Sequence, residues 1–255
     1  MTIKKNRRKT IRIATGIILI MIALRFAYKF TPYRIELLGH YDKVWTHRVN
    51  SLEKQEAALL FHKGIEFDLD YIEESDFLDV NHLPAPSIGL SFEKFIHHIN
   101  TDKNYPYLWL DIKDLDTLNN RKIFNKIHPV LKSRNYPTDK VLVEGMQPEA
   151  LQIFRDSAFR TSYYLPWYLN ELPAEELEKE IEVLKGIDKA FPDTAFSTAS
   201  SQYELIRKYF PEKELYLWTD GHRPLFKYFL FRKILNDSKV IALLAHYRSF
   251  KGGNR

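Results

Sequence analysis

Four short polar motifs each close an apolar run in this sequence: His47-Arg48, then Glu66-Phe67-Asp68, then His82, then Asp111-Ile112-Lys113. Glu66 and Asp68 stand two residues apart. On a strand that spacing turns both carboxylates to one face, where hard oxygen donors can hold a divalent cation such as Mg²⁺ or Ca²⁺. Asp111 ends another apolar run and would add a third ligand. Lys113, on the same face of that strand, would meet the charge of a phosphate oxygen. His47 and His82 titrate near neutrality, so one can take a proton from a nucleophile while the other protonates a leaving oxygen. Together these residue types suit metal-assisted cleavage of a phosphate ester. Around them the reading branches. Asp70 either extends the cation site or meets solvent, Arg48 either binds phosphate or pairs with a carboxylate, and Trp218 either walls the substrate pocket or packs. Glu144 is a further strand-end acid, and His222-Arg223 repeats the His-Arg dipeptide near the seventh run. His40, His62, His97, His98, His128, His222 and His246 read as surface or structural.

These motifs need elements that bring their ends together. Short runs rich in Val, Ile, Leu, Tyr and Phe occupy residues 44–47, 64–71, 107–112, 141–144, 160–165, 194–197, 215–218 and 240–245. Helical segments lie between them. One carries Leu177, Ile181, Leu184 and Ile187 at helical spacing, with acids early and lysines late, as the helix dipole favours. Ile123, Ile127 and Leu131 form a second stripe. Ser201-Gln202-Tyr203-Glu204 has the form of a capping box, and Ser51 and Ser91 are candidate caps. Strands alternating with helices predict a parallel sheet. Eight such units predict closure into an α/β (β/α)₈ TIM-type barrel, where the C-terminal strand ends converge on one pocket. An open doubly wound sheet has the same local pattern. Residues 77–82 add an extra extended piece after the second strand, expected as a hairpin at the barrel mouth.

The chain has 255 residues, 45% of them hydrophobic and 14% aromatic, enough for a substantial core and too apolar for a disordered chain. Its net charge of +5 is unevenly spread. Residues 1–34 hold Lys4, Lys5, Arg7, Arg8, Lys9, Arg12, Arg25, Lys29 and Arg34 and no acid, and the remainder is acidic on balance. Nucleic-acid binders carry their basic patch on the folded domain, so no nucleic-acid partner is expected. The chain has no cysteine, which excludes disulfides, thiolate metal sites and thiol catalysis. The basic cluster precedes an apolar run over residues 13–24, the pattern of a signal sequence or signal anchor. That run is shorter than the roughly 20 residues that span a bilayer, which leaves a cleaved, secreted form as the alternative. Bulky flanks, the snorkelling Arg12 and Arg25, and Tyr28 and Tyr33 favour an uncleaved anchor. The expected arrangement is a basic tail and anchor helix over residues 1–34 and a barrel over 35–255. The chain would cross the membrane once, its N-terminus cytoplasmic and its barrel extracytoplasmic. The oligomeric state stays open.

Taken as a set, these residues resemble the phospholipase-C-like phosphodiesterase superfamily, which includes glycerophosphodiester phosphodiesterases and spider-venom phospholipase D toxins. The motifs Trp45-Thr46-His47-Arg48-Val49-Asn50-Ser51, His82-Leu83-Pro84-Ala85-Pro86-Ser87 and Trp109-Leu110-Asp111-Ile112-Lys113 are most similar to its menorin group and bacterial relatives. The resemblance implies a TIM-type barrel with His47 and His82 as acid and base. Glu66, Asp68 and Asp111 would bind the cation, and Lys113 would contact phosphate. It further implies attack by a neighbouring substrate hydroxyl through a cyclic phosphate on a glycerophosphodiester or phospholipid headgroup. Leu83 follows His82 where glycerophosphodiesterases carry Asp. That departure motivates a second reading, a non-catalytic barrel binding a phosphorylated lipid, a glycan or a protein partner. Paired carboxylates on barrel strands also serve glycoside hydrolysis, but two histidines and Lys113 fit that chemistry poorly.

Overall fold

The computed structural model describes residues 2–102, 104–220 and 227–247, so His222 and Arg223 lie outside the described residues. The first element is a helix, α1 (Thr2–Phe30), which continues through Arg12 and Arg25. Arginine is a good helix former, so charges that end the apolar run do not end the helix. Its segment Ile11–Tyr28 is long and apolar enough to cross a membrane, and none of that segment is buried against the rest of the chain.

The chain then alternates as expected: β1 (Val44–Thr46), α2 (Leu52–Leu59), β2 (Gly64–Ile72), β3 (Phe77–Val80), α3 (Phe92–His97), β4 (Tyr107–Asp111), α4 (Asn120–Ser133) and β5 (Val141–Gly145). It continues with α5 (Gln152–Arg155), β6 (Arg160–Tyr164), α6 (Ala174–Ala190), β7 (Ala195–Ala199), α7 (Tyr203–Tyr209), β8 (Leu215–Trp218), α8 (Tyr228–Asn236) and β9 (Val240–Ala245). β1 pairs in parallel with β2 through Thr46 and Ile65, and with β9 through Val44, Trp45 and Thr46 opposite Leu243, Leu244 and Ala245. The parallel strands therefore close on themselves, and an open doubly wound sheet is excluded. β3 is the exception. It runs antiparallel to the outer half of β2, with Leu69 opposite Val80 and Ile72 opposite Phe77. This is the expected hairpin, and ion pairs from Lys122 and Lys126 to Glu73 and Asp76 lay its tip against α4.

Alternation along each strand sorts the side chains. Phe67 of β2 faces outward onto Phe95 and Phe92 of α3, with ring centroids 4.5 and 6.4 Å away. Glu66 and Asp68, between those outward positions, face the barrel axis. The axial core is aromatic. Trp45 stacks on Tyr107 at 5.1 Å, and Trp109 meets Tyr216 edge-on at 5.3 Å. Gly64 makes room for this layer, because a Cβ there would stand 2.5 Å from the Trp45 ring. Gly64→Ala is therefore expected to destabilise the fold by about 1–3 kcal/mol through overpacking, read as a lower urea midpoint with an unchanged slope.

Ser51 and Ser91 cap α2 and α3, each accepting the N–H of Lys54 or Lys94. The capping box expected at residues 201–204 does not form. Residues Ser200–Gln202 make a 3₁₀ turn instead, and the Ser201 N–H donates 2.8 Å to the Asp220 carboxylate beyond β8. A residue distant in sequence has taken the donor that the box would have satisfied.

The segment joining α1 to β1 closes the seam between β9 and β1. Leu37 is buried in the outer core with Val44 and Leu235. The Arg34 guanidinium donates to the carbonyl of His246 at 2.7 Å, and Tyr28 of α1 donates 2.5 Å to the buried Glu36. Tyr247, past the end of β9, packs on Phe61 and His62.

Candidate active site

The C-terminal strand ends enclose a cavity of about 340 Å³ lined by His47, Arg48, Glu66, Asp68, Asp111, Lys113 and Trp218 among others. β1 delivers His47 through an irregular exit. The His47 N–H bonds to Ala245 O and the Val49 N–H to Glu66 O, so both flanks of Arg48 are held. Arg48 takes the left-handed conformation, φ 56°, uncommon for a side-chain-bearing residue, and this aims its N–H at Glu66 Oε2, 2.5 Å away. Lys54 fixes the same turn from below, its ammonium bonding the carbonyls of His47 at 3.2 Å and Arg48 at 2.7 Å.

β2 and β4 supply the acids. Asp68 and Asp111 are opposite each other in the parallel register. One oxygen each from Glu66, Asp68 and Asp111 lies within 4.8 Å of the others, and all three residues are buried. Asn50 orients Asp68 twice over, donating 2.8 Å to Oδ2 and accepting the Asp68 N–H at 3.1 Å. Lys113 Nζ lies 2.7 Å from Asp111 and 3.3 Å from Asp68. His47 Nε2 stands 3.6 Å from Glu66 Oε2, and His82 Nε2 stands 3.8 Å from Asp68 Oδ1. The second histidine comes from the hairpin: the Asn81 N–H bonds to Asp68 O and so sets His82 beside that acid. Asp70 lies one pair further out, opposite Asp79 on β3 and outside the acidic triad.

The electrostatics follow from burial. Burial, then Asp68 and Asp111, push the Glu66 carboxyl well above its ordinary value. Burial raises Asp111 to about 6 despite the opposing Lys113 ammonium. Burial alone would lower Lys113, but Asp111 and Asp68 outweigh it and raise the ammonium above its usual range. Burial, then the neighbouring His246, Arg48, Lys54 and Lys113, holds His47 well below an ordinary histidine. His47 is thus a neutral imidazole at neutral pH, able to accept a proton.

The remaining wall contains residues that reasoning from strand ends had passed over. His246 lines the cavity with its ring 4.8 Å from that of His47, which corrects its reading as a surface or structural residue. The signal was its position directly after β9. Tyr164, at the end of β6, stacks on Trp218 at 5.0 Å, so Trp218 both packs and walls the cavity. Glu144 also reaches the cavity. It is 2% exposed, one of its oxygens has no hydrogen-bond partner, and burial, then Asp111, raises its carboxyl.

Three buried carboxylates with one ammonium between two of them are costly unless a cation neutralises them. Hard oxygen donors at this spacing fit a divalent ion that prefers oxygen, and Glu66, Asp68 and Asp111 are the residues that would hold it. Such an ion must displace the protons that burial keeps on Glu66 and Asp111. Cation affinity is therefore expected to rise as pH climbs from about 4 through about 6, with protons released on binding. Calorimetric titration in buffers of different ionisation enthalpy measures that release directly.

No protein-family model matches the sequence, and no curated protein matches it. Solved structures do share the architecture. A protein assigned as a glycerophosphodiester phosphodiesterase from Galdieria sulphuraria has a TM-score of 0.54 at 13% identity, covering 80% of this chain and 93% of its own. A protein from Silicibacter pomeroyi with a similar assignment also scores 0.54 at 13% identity, covering 87% and 92%. A phosphodiesterase from Oleispira antarctica, solved with the product sn-glycerol-3-phosphate, scores 0.51 at 15% identity, covering 79% and 92%. At these identities the likeness is one of fold.

Proposed function

We propose that the barrel, whose fold is shared with these phosphodiesterases, is itself a phosphodiesterase, dependent on Mg²⁺ or Ca²⁺ and acting on a glycerophosphodiester or a phospholipid headgroup. One juxtaposition carries the reading: two histidines and a lysine gathered around a buried Glu66/Asp68/Asp111 triad at the mouth. His47, neutral and held beside Glu66, takes the proton of the attacking hydroxyl as that oxygen bonds to phosphorus. His82, held beside Asp68, gives a proton to the leaving oxygen as its bond to phosphorus breaks. Lys113 and Arg48 hold the non-bridging oxygens, and Trp218 with Tyr164 walls the departing group. A cation held by the triad would supply Lewis-acid charge to those same oxygens. Where the attacking hydroxyl belongs to the substrate, the products are a cyclic phosphate and the freed alcohol. Water attacking with the histidine roles exchanged opens that ring. The N-terminal helix would anchor the enzyme, with the tail over residues 1–34 cytoplasmic and the barrel over 35–255 outside. The motifs around His47 and His82 are the support for a menorin-like grouping.

The test is to incubate the full chain in detergent with glycerophosphodiesters and lysophospholipids, following products by phosphorus NMR with Mg²⁺, Ca²⁺ or EDTA. Product that requires both the cation and the two histidines is expected. Folded protein that binds these compounds and turns none over with any cation sinks the enzyme reading. It would favour instead a non-catalytic binding barrel, the reading that Leu83 after His82 supports.

A further inference from the structure

The mouth carries apolar side chains that the site does not use. Leu83 and Ile88 stand between β3 and α3, Leu118 between β4 and α4, Met146 between β5 and α5, Trp167 between β6 and α6, and Phe229 in the first turn of α8. They are exposed, from 45% at Ile88 to 85% at Leu118 and 86% at Phe229. Single exposed apolar residues need no explanation, but here they recur on connection after connection around one opening. Trp167 is paired edge-on with Tyr168 at 5.8 Å, an aromatic combination suited to the water–hydrocarbon boundary. At the closed end, among the described residues, the comparable apolar side chains are Leu38, Leu60 and Phe61, gathered beside the linker from α1.

The linker gives the rim its partner. α1 contains a segment able to cross a membrane, and only a few residues separate it from Arg34. Arg34 is bonded to the carbonyl of His246, and His246 lines the cavity. The helix therefore joins the barrel at the height of the mouth. We propose that the rim seats on the bilayer that α1 crosses, so that the cavity opens onto lipid headgroups. A short, fixed tether holds the rim at high effective concentration against that surface, and the apolar side chains at its connections enter the headgroup boundary. The inference rests on the phosphodiesterase reading only for what enters the cavity.

Trp167 is its own probe, since Trp45 and Trp109 are 3% and 1% exposed inside the barrel. The full chain is reconstituted in phosphatidylcholine vesicles with and without brominated acyl chains, beside Trp167→Phe. Bromine is expected to remove about half or more of the Trp167 emission, a difference that vanishes in Trp167→Phe. Unchanged Trp167 emission in folded, inserted protein overturns the proposal, whether the rim then faces water or a second copy of the chain. A second readout uses turnover. Leu118→Asp/Trp167→Asp, both exposed positions, is expected to lower turnover of vesicle lipids about tenfold while leaving a soluble glycerophosphodiester within about twofold. Equal loss on both substrates overturns it too. If neither substrate is turned over by the wild type, the phosphodiesterase reading has failed, and the quenching result still decides the docking.

Discussion

His47→Ala should lower kcat by about a thousandfold at saturating cation, within the range that a positioned general base contributes. Burial and four neighbouring groups keep this imidazole neutral, and no other neutral base stands beside Glu66 on the β1 side. His246 is close enough to crowd the ring, yet it sits behind His47 on the β9 side. Cation affinity should hardly change, because the triad is intact. His82→Ala should show a different pattern. An acid is needed only where the leaving oxygen is basic, so a p-nitrophenyl diester should retain activity to within about tenfold while alkyl diesters lose about a hundredfold or more. Should His47→Ala rather than His82→Ala be the variant spared by the activated leaving group, the acid and base roles are reversed.

Glu66→Gln should abolish turnover and, in EDTA, raise the melting temperature. The amide keeps an oxygen to accept the Arg48 N–H but removes one of three crowded carboxylates. The sign follows from the raised folded value of Glu66. At pH values below the unfolded value both states hold the proton and the acid costs nothing. As pH rises through the folded value, the metal-free wild type must either keep that proton or bury the charge, and it loses stability. The gap between variant and wild type should therefore widen from about pH 5 to pH 8, by several degrees in melting temperature for a chain of this size. Added cation should close it, stabilising the wild type far more than the variant. A variant less stable than wild type in EDTA at pH 8 would contradict the picture of an uncompensated acidic triad.

Much of this site was legible because one rule covers it. In a barrel the last residues of each strand meet, so His47, Glu66, Asp68, Asp111, Lys113 and Trp218 could be placed together from strand ends alone. The same rule, applied to the residue after β9 and the last residue of β6, also points to His246 and Tyr164. Neither belongs to a motif, and a lone histidine or tyrosine carries no pattern of its own. Asn50 is different. Its paired bonds to Asp68 depend on how the β1 exit folds back, with Arg48 in the left-handed region, which no local propensity encodes. Ser201 illustrates the limit from the other side: its local capping pattern is sound, but Asp220 competes for the same donor. The fold was easier to read than its details, since strand and helix periodicity repeat along the chain whereas side-chain partners are chosen across it.

The joint at Arg34, Glu36 and Leu37 bears on how such a protein can be handled. A shortening that removed these residues along with the helix would take away the buried Leu37 and leave the His246 carbonyl without its guanidinium. The damage would fall on the last strand and on a cavity-lining ring, far in sequence from the cut. Solubilising the barrel by trimming its front would thus confound two things an experimenter wants apart, loss of the anchor and loss of the active shape. A cut before Tyr33 separates them; a cut after Leu37 does not.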